Sequence, residues 1–377
     1  MKIALVSILF NRKGGSERRT YQLAAGLLGL GHEVSIFANE VEDMALDAEV
    51  NIVPAMPAPT FLRVLTFTKN LNAALAKRTD IDIIHNQIRP FNDWIVTVGG
   101  GCHAEYLEKM AGRRFPFNPR DLVILDMEKR QYREGGCRAV ITNSALSKKG
   151  ILKHYPIPPK RVHVAYNGVD TEKFSPTSVL GNRAITRKKY GFFDEPVALF
   201  LGSGFERKGL EAAIRALRLV KEMDGAIRHL KLLIVGRDRQ DPWLKLAARL
   251  GVSDMVVFAG QTAKPEDFYA AADIFVLPTK FDPFSNATLE AMSCGLPVIT
   301  TAENGVSEII LDGENGFVMQ RPDDYMGLAS TLGYLGCEKA RRETGENARI
   351  TAEGFTWNET LSKTLDVYNS VLYKRGF

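Results

Sequence analysis

In the segment FDPFSNATLE (281–290) two carboxylates, Asp282 and Glu290, stand eight positions apart. Ser285 is a favoured N-cap residue and Asn286 opens a helical run. Glu290 then falls roughly 7 Å further along the axis, at about 1.5 Å per residue. Between the two acids lies a helix N-terminus, whose backbone N–H groups suit phosphate oxygens. This pattern fits a ligand with a diphosphate in the middle and a hydroxyl-bearing ring on each side. One acid would accept from a sugar and the other from a ribose, which is the outline of a nucleotide sugar. Phe284, Ser285 and Asn286 form the donor-binding stretch between them. The plainer alternatives are a turn role for Asp282 and a surface helix role for Glu290. Glu290, however, leads into AMSCGLPVIT, which reads as a buried helix end and strand, and a lone acid there needs a partner.

Arg207 and Lys208 offer the complementary charge. They sit in GSGFERKG just before Gly209 and a helical pattern. Two adjacent cations at a helix N-terminus, already the positive end of the dipole, call for a nearby anion. A pyrophosphate would meet both; two solvated basic residues are the alternative. Gly14 and Gly15 also precede a helix. They either let backbone N–H groups approach an anion or supply a positive-φ turn. The surrounding KGGSER lacks the G-x-G-x-x-G spacing of dinucleotide redox enzymes. His103 follows three glycines in GGGCHAEY and suits a hydrogen-bond donor at a reacting centre, or a structural role. Asp80-Ile81-Asp82 has the D-x-D form of metal-dependent sugar transferases but opens a strand, at the edge away from the ligand. His85 and Asn86 end that strand at the edge where a pocket is expected. No His/Cys/Asp cluster has zinc or iron spacing, and no metal or cofactor is expected. Neither a nucleophile elbow nor a P-loop pattern occurs.

These residues need a scaffold that brings loops together, and the chain supplies one. Apolar runs alternate with amphipathic segments: Lys2–Ser7, Glu33–Ala38, Ile81–His85, Trp94–Val98, Ala139–Thr142 and Val162–Ala165 read as strands. After a linker-like stretch at 166–196 the alternation restarts with strands Val197–Leu201, Leu230–Val235, Met255–Ala259, Ile274–Leu277 and Pro297–Thr300. Helical patterns lie at 209–223, 242–250, 265–272 and 286–293. Such alternation predicts right-handed βαβ units and a parallel sheet in each half, an α/β fold of two doubly wound, Rossmann-like domains. The expected domains are 1–175, on the acceptor side, and 176–356, on the donor side, with a helical C-terminus, 357–377, packing back on the first. The polar residues gather where strands end, the edge at which such sheets bind ligands, so two edges facing each other would form a charged cleft.

The chain has 377 residues, 45% hydrophobic and 25% charged, enough for two domains. Its net charge of +5 is uneven: residues 1–180 hold 24 Lys/Arg against 18 Asp/Glu. That bias suits an anionic partner, or a solvated basic face. The four scattered cysteines suggest reduced thiols in a cytosol. The N-terminal apolar run is short and reads as a buried strand, and no segment is apolar for long enough to span a membrane.

PTKFDPFSNATLEAMSCGLPVITT, together with VAYNGVDTEKFSP and ENGVSEIILDGENGFVM, resembles glycosyltransferase family 4, the retaining GT-B transferases. The resemblance implies two domains across a cleft, a cytoplasmic location and metal-independent hexosyl transfer from a nucleotide diphosphate sugar. It makes Asp282 the first member of the family's acid pair, one methylene shorter than the usual Glu, and Glu290 the second. Lys208 matches the phosphate-binding Lys, but Ser203 stands where the family has Arg, so Arg207 would supply that charge from a different place. Asp282 would hold sugar hydroxyls, Glu290 the ribose, and His103 the donor sugar from the first domain. GSGFERKG is similar to the run in lipopolysaccharide core glucosyltransferases. This points to UDP as the nucleotide, a glucose-like sugar, and a glycan or lipid-linked saccharide acceptor; no nucleic acid is implied. The basic stretch Lys109–Arg138 would then suit peripheral contact with the inner face of the cytoplasmic membrane, or a plain surface. Two rival classes remain: a GT-B sugar-nucleotide epimerase or hydrolase, which turns over donor without acceptor, and a noncatalytic sugar-nucleotide binding protein.

Overall fold

The computed structural model describes the chain except for residues 13, 43, 58–59, 89–93, 112–118, 134–135 and 374–377. Part of the basic stretch read as a membrane contact, 112–118, thus lies outside the described residues. The chain divides into two compact units, one of Met1–Gly168 with Trp357–Phe377 and one of Val169–Thr356. The division falls ahead of the boundary drawn from composition at 175/176. The cause is local: the Val169 N–H bonds the Phe355 carbonyl at 2.9 Å, and Val169 bridges Thr356 in parallel, which ties residues 169–175 to the second unit.

The first unit holds seven parallel strands: β1 (Lys2–Phe10), β2 (Glu33–Val41), β3 (Glu49–Ile52), β4 (Ile83–Asn86), β5 (Ile95–Val98), β6 (Ala139–Thr142) and β7 (Val162–Val164). Their order is β3-β2-β1-β4-β5-β6-β7. β1 is apolar on both faces because helices cover both, as an internal parallel strand requires. One face packs with Ile36, Leu27 and, from the C-terminal helix Trp357–Tyr373, Leu361, Val367 and Tyr368. The other packs with Phe67 and Leu71. The return of the last helix to this unit is therefore driven by apolar burial. Tyr368 adds a specific tie through its hydroxyl, 2.7 Å from His85 Nδ1.

The second unit has six parallel strands: β8 (Val197–Leu201), β9 (Lys231–Val235), β10 (Val256–Gly260), β11 (Ile274–Leu277), β12 (Val298–Thr301) and β13 (Phe317–Met319). Their order is β10-β9-β8-β11-β12-β13. Sequence reading did not find β3 or β13. Both are edge strands, where burial on one side only leaves a short or partly polar run such as EVNI or FVM. In both sheets the order reverses beside the first strand, between β1 and β4 and between β8 and β11. Connections leave in opposite directions there and open a crevice at the strand carboxyl ends.

Candidate functional site

The loops following β8 and β11 meet at the second unit's switch point. Gly209 makes the approach feasible: its φ is +81°, and a Cβ there would overlap the Pro278 carbonyl. The Arg207 carbonyl accepts from the Lys280 N–H at 2.8 Å and the Thr279 hydroxyl at 3.0 Å, stitching one loop to the other. The structure brings Arg207, Lys208 and Asp282, three of the charged residues of the sequence reading, together at this seam. Lys208 Nζ donates to Asp282 Oδ2, and both side chains are about one-tenth exposed or less. Arg207 Nη1 lies 3.8 Å from the same oxygen and donates to the Phe281 carbonyl at 2.8 Å. Arg207 Nη2 reaches to 3.5 Å from the Ser203 carbonyl, folding back against Gly204, whose φ of +81° turns the loop there. The guanidinium therefore lies against the backbone of Ser203, the residue that stands where the resemblance has an arginine.

Burial pulls the Lys208 ammonium below its ordinary pKa; Asp282 opposes that shift and Arg207 adds to it. One carboxylate thus faces two cations, a surplus of positive charge in a partly enclosed place. Such a place is suited to holding an anion more highly charged than a carboxylate.

The helix Asn286–Ser293 begins beside this cluster. Ser285 caps it, its hydroxyl accepting from the Thr288 N–H at 3.2 Å. Phe284 and Ser285 are buried. Asn304, after β12 and fully buried, fixes the helix entry: its Oδ1 accepts from the N–H groups of Ser285 at 3.1 Å and Val306 at 3.2 Å. Its Nδ2 donates to Thr300 Oγ1 at 2.9 Å. Glu290 is 6% exposed, and its Oε2 accepts from the Tyr269 hydroxyl at 2.8 Å. The lone acid in a buried helix end does have its partner. Asp238 Oδ2 accepts from the Gly204 N–H at 2.6 Å and anchors the loop after β8.

Sequence reading assigned no role to Asn304, Tyr269 or Asp238. Asn304 and Asp238 stand in strand-end loops, TAENGVSE and GRDRQD, whose position was a usable signal. Tyr269 sits in an amphipathic helix and looks like any core aromatic.

In the first unit, Gly14 is the N-cap of the helix Gly15–Gly29 with φ −105° and ψ 168°, so the positive-φ reading of the glycine pair fails at Gly14. The Glu17 side chain folds back to within contact of Gly14. His103 opens the helix His103–Ala111. The buried Glu128 carboxylate accepts from its backbone N–H at 2.8 Å, and the ring Nε2 lies 2.9 Å from Asp121 Oδ1. His85 and Asn86 have no exposed surface, contrary to a pocket-lining role. His85 bonds Tyr368 and Thr97, each at 2.7 Å, and burial, with help from Arg19, pushes its pKa down to about 3. Asp80 pairs with Arg78 and Lys2, each at 2.9 Å, and these cations hold its carboxyl well below the usual range. Among the described residues, Glu105, Glu108 and His154 form one group of metal-ligand types, into which Lys153 Nζ reaches at 3.1 and 2.7 Å. No helix among the described residues is long and apolar enough to cross a membrane.

Residues 13–173 match the model described as Glycosyltransferase Family 4, and residues 182–351 that described as Glycosyl transferases group 1. The chain belongs to this glycosyltransferase family. A D-inositol 3-phosphate glycosyltransferase of Thermomonospora curvata is 32% identical over 248 residues, covering 62% of this chain and 57% of that relative. The chain thus spans just over half the length of that relative. A glycosyltransferase of Methanocaldococcus jannaschii is 28% identical over the full length of both chains. Among solved structures, WaaG, a glycosyltransferase involved in lipopolysaccharide biosynthesis, superposes with a TM-score of 0.81 at 24% identity, over 97% of this chain and 99% of that one. Sucrose-phosphate synthase from Thermosynechococcus elongatus superposes at 0.78 and 21% identity, over 99% of each chain. These likenesses establish the fold as GT-B, two Rossmann-like domains.

Proposed function

We propose that the protein transfers a hexosyl group from a nucleotide diphosphate sugar to a hydroxyl of a glycan or lipid-linked saccharide, with retention of anomeric configuration. The observation that carries this reading is the seam at the β8/β11 switch point, where Arg207, Lys208 and the start of the helix Asn286–Ser293 concentrate positive charge. The diphosphate of the donor occupies that seam. As the bond from the anomeric carbon to the phosphate oxygen breaks, negative charge grows on the departing diphosphate, and the cations stabilise it where it develops. Their partial burial strengthens the effect, because charges interact more strongly away from water. Asp282 directs its carboxylate to sugar hydroxyls and Glu290 accepts from the ribose. His103 of the first unit contacts the donor sugar, and Gly14 and Gly15 give backbone N–H groups to donor or acceptor.

The nucleotide we assign is UDP and the sugar glucose-like, in synthesis of cell-envelope polysaccharide or lipopolysaccharide. The similarity of GSGFERKG to core glucosyltransferases supports this, as does a neighbour of the same fold, the Anabaena protein HepE solved with UDP-glucose. The uneven basic charge of residues 1–180 supports an acceptor held at an anionic membrane surface.

The test is a donor screen across UDP-, GDP- and ADP-sugars, with and without lipid extract, read by nucleotide release and by the anomeric configuration of the product. Release of UDP that depends on acceptor, with a retained anomer, is expected. Equal turnover without acceptor would mark an epimerase or hydrolase, and tight binding with no turnover a noncatalytic protein; either result overturns the proposal.

A further inference from the structure

We propose that Tyr269 is a positioning residue that sets the preference of the donor site for ribose, acting through Glu290; the inference rests on the reading of Glu290 as the ribose-binding acid. A carboxylate recognises a ribose by accepting from its vicinal hydroxyls, which demands a fixed orientation of the carboxylate plane. A glutamate has three rotatable side-chain torsions, and its terminal torsion is broad. Something must therefore hold Glu290. Tyr269 does so from the neighbouring helix Glu266–Ala271, its hydroxyl 2.8 Å from Glu290 Oε2. The same hydroxyl lies 3.1 Å from the Ala287 carbonyl, in the first turn of the helix that carries Glu290. A hydroxyl has one proton, and the closer, charged acceptor takes it.

Tyr269 is itself immobile. It is 1% exposed, meets Phe174 edge-on at 5.8 Å between ring centroids and lies tilted on Phe275 at 6.2 Å. A rigid ring thus delivers one donor to one carboxylate oxygen and directs the Glu290 carboxylate toward the ribose. Loss of the phenol therefore weakens ribose recognition while Arg207, Lys208 and the helix start of the diphosphate site stay in place.

The experiment compares calorimetric affinities of UDP, ADP and GDP with those of their 2′,3′-dideoxy counterparts, for wild type, Glu290→Ala, Tyr269→Phe and the double variant. Thermal melts are run on each. The wild type should prefer the ribonucleotide that it binds best by tenfold or more, about 1.4 kcal/mol for each factor of ten. Glu290→Ala should erase most of that preference. Tyr269→Phe, which keeps the ring and its packing, should erase a comparable part, and the double variant should lose no more than Glu290→Ala alone. If Glu290→Ala leaves the preference intact, or no nucleotide binds, the ribose reading fails and the inference with it. If Glu290→Ala lowers the preference and Tyr269→Phe does not, or Tyr269→Phe merely unfolds the protein, the ribose reading stands and the positioning role of Tyr269 is refuted.

Discussion

Replacing Lys208 with Met removes one charge from a nearly closed ion pair, and stability and binding should respond separately. The Lys208 and Asp282 side chains are 10% and 8% exposed, so the carboxylate left behind has little access to water. Its remaining cation, Arg207, is 3.8 Å away and 29% exposed, hence partly screened. Breaking a buried pair from one side costs about 3–5 kcal/mol. For a domain the size of Val169–Thr356, at about 2–4 °C per kcal/mol, the melting point should fall by roughly 6–20 °C. Independently, loss of a cation at the developing diphosphate should lower kcat by about 10²–10³ and weaken UDP binding. Adding Asp282→Asn separates the two. With both charges gone no buried carboxylate is stranded, and removal of whole buried pairs is often neutral. The double variant should therefore regain most of the lost melting temperature while UDP affinity, read by calorimetry, stays low. Asp282 is assigned to sugar hydroxyls, so its loss does not by itself explain weak binding of UDP, which carries no sugar. Recovery of UDP affinity together with the melting point would refute the reasoning, because the single variant's defect would then be one of folding.

Two further outcomes follow from the same site. Burial lowers the Lys208 pKa from 10.5, so the free enzyme's kcat/KM should fall on an alkaline limb below pH 10.5, a limb that Lys208→Arg should remove. Asn304→Ala leaves the N–H groups of Ser285 and Val306 without their acceptor and should cost about 2–4 kcal/mol in urea denaturation. A loss below about 1 kcal/mol, at the level of an ordinary net hydrogen bond, would show that the asparagine is not the clamp on the helix entry.

The doubly wound architecture was legible in the residue order itself. Internal parallel strands must be apolar on both faces, and that leaves runs such as KIALVS and IFVL that no surface segment imitates. The helix start at Ser285–Asn286 was equally local, because an N-cap and the first turn lie within a few residues of one another. Edge strands β3 and β13 escaped because they lack the two-sided burial that writes such a signature. The pocket role expected of His85 and Asn86 failed for a related reason. Strand ends point to the right edge of a sheet, but whether a side chain there meets solvent depends on what packs over it, which for His85 is Tyr368 from the far end of the chain.

What the sequence by itself determined is thus the set of elements, their parallel pairing and the edge where polar chemistry collects. Each follows from short-range periodicity and capping. What only the tertiary structure decided is partnership. Lys208 and Asp282 lie 74 positions apart along the chain, Tyr269 and Glu290 21, and Asn304 19 from the Ser285 it holds. A hydrogen bond depends on distances and angles of a few tenths of an ångström. Those are fixed only when separate loops are carried to one switch point by a folded sheet, and no local pattern encodes them.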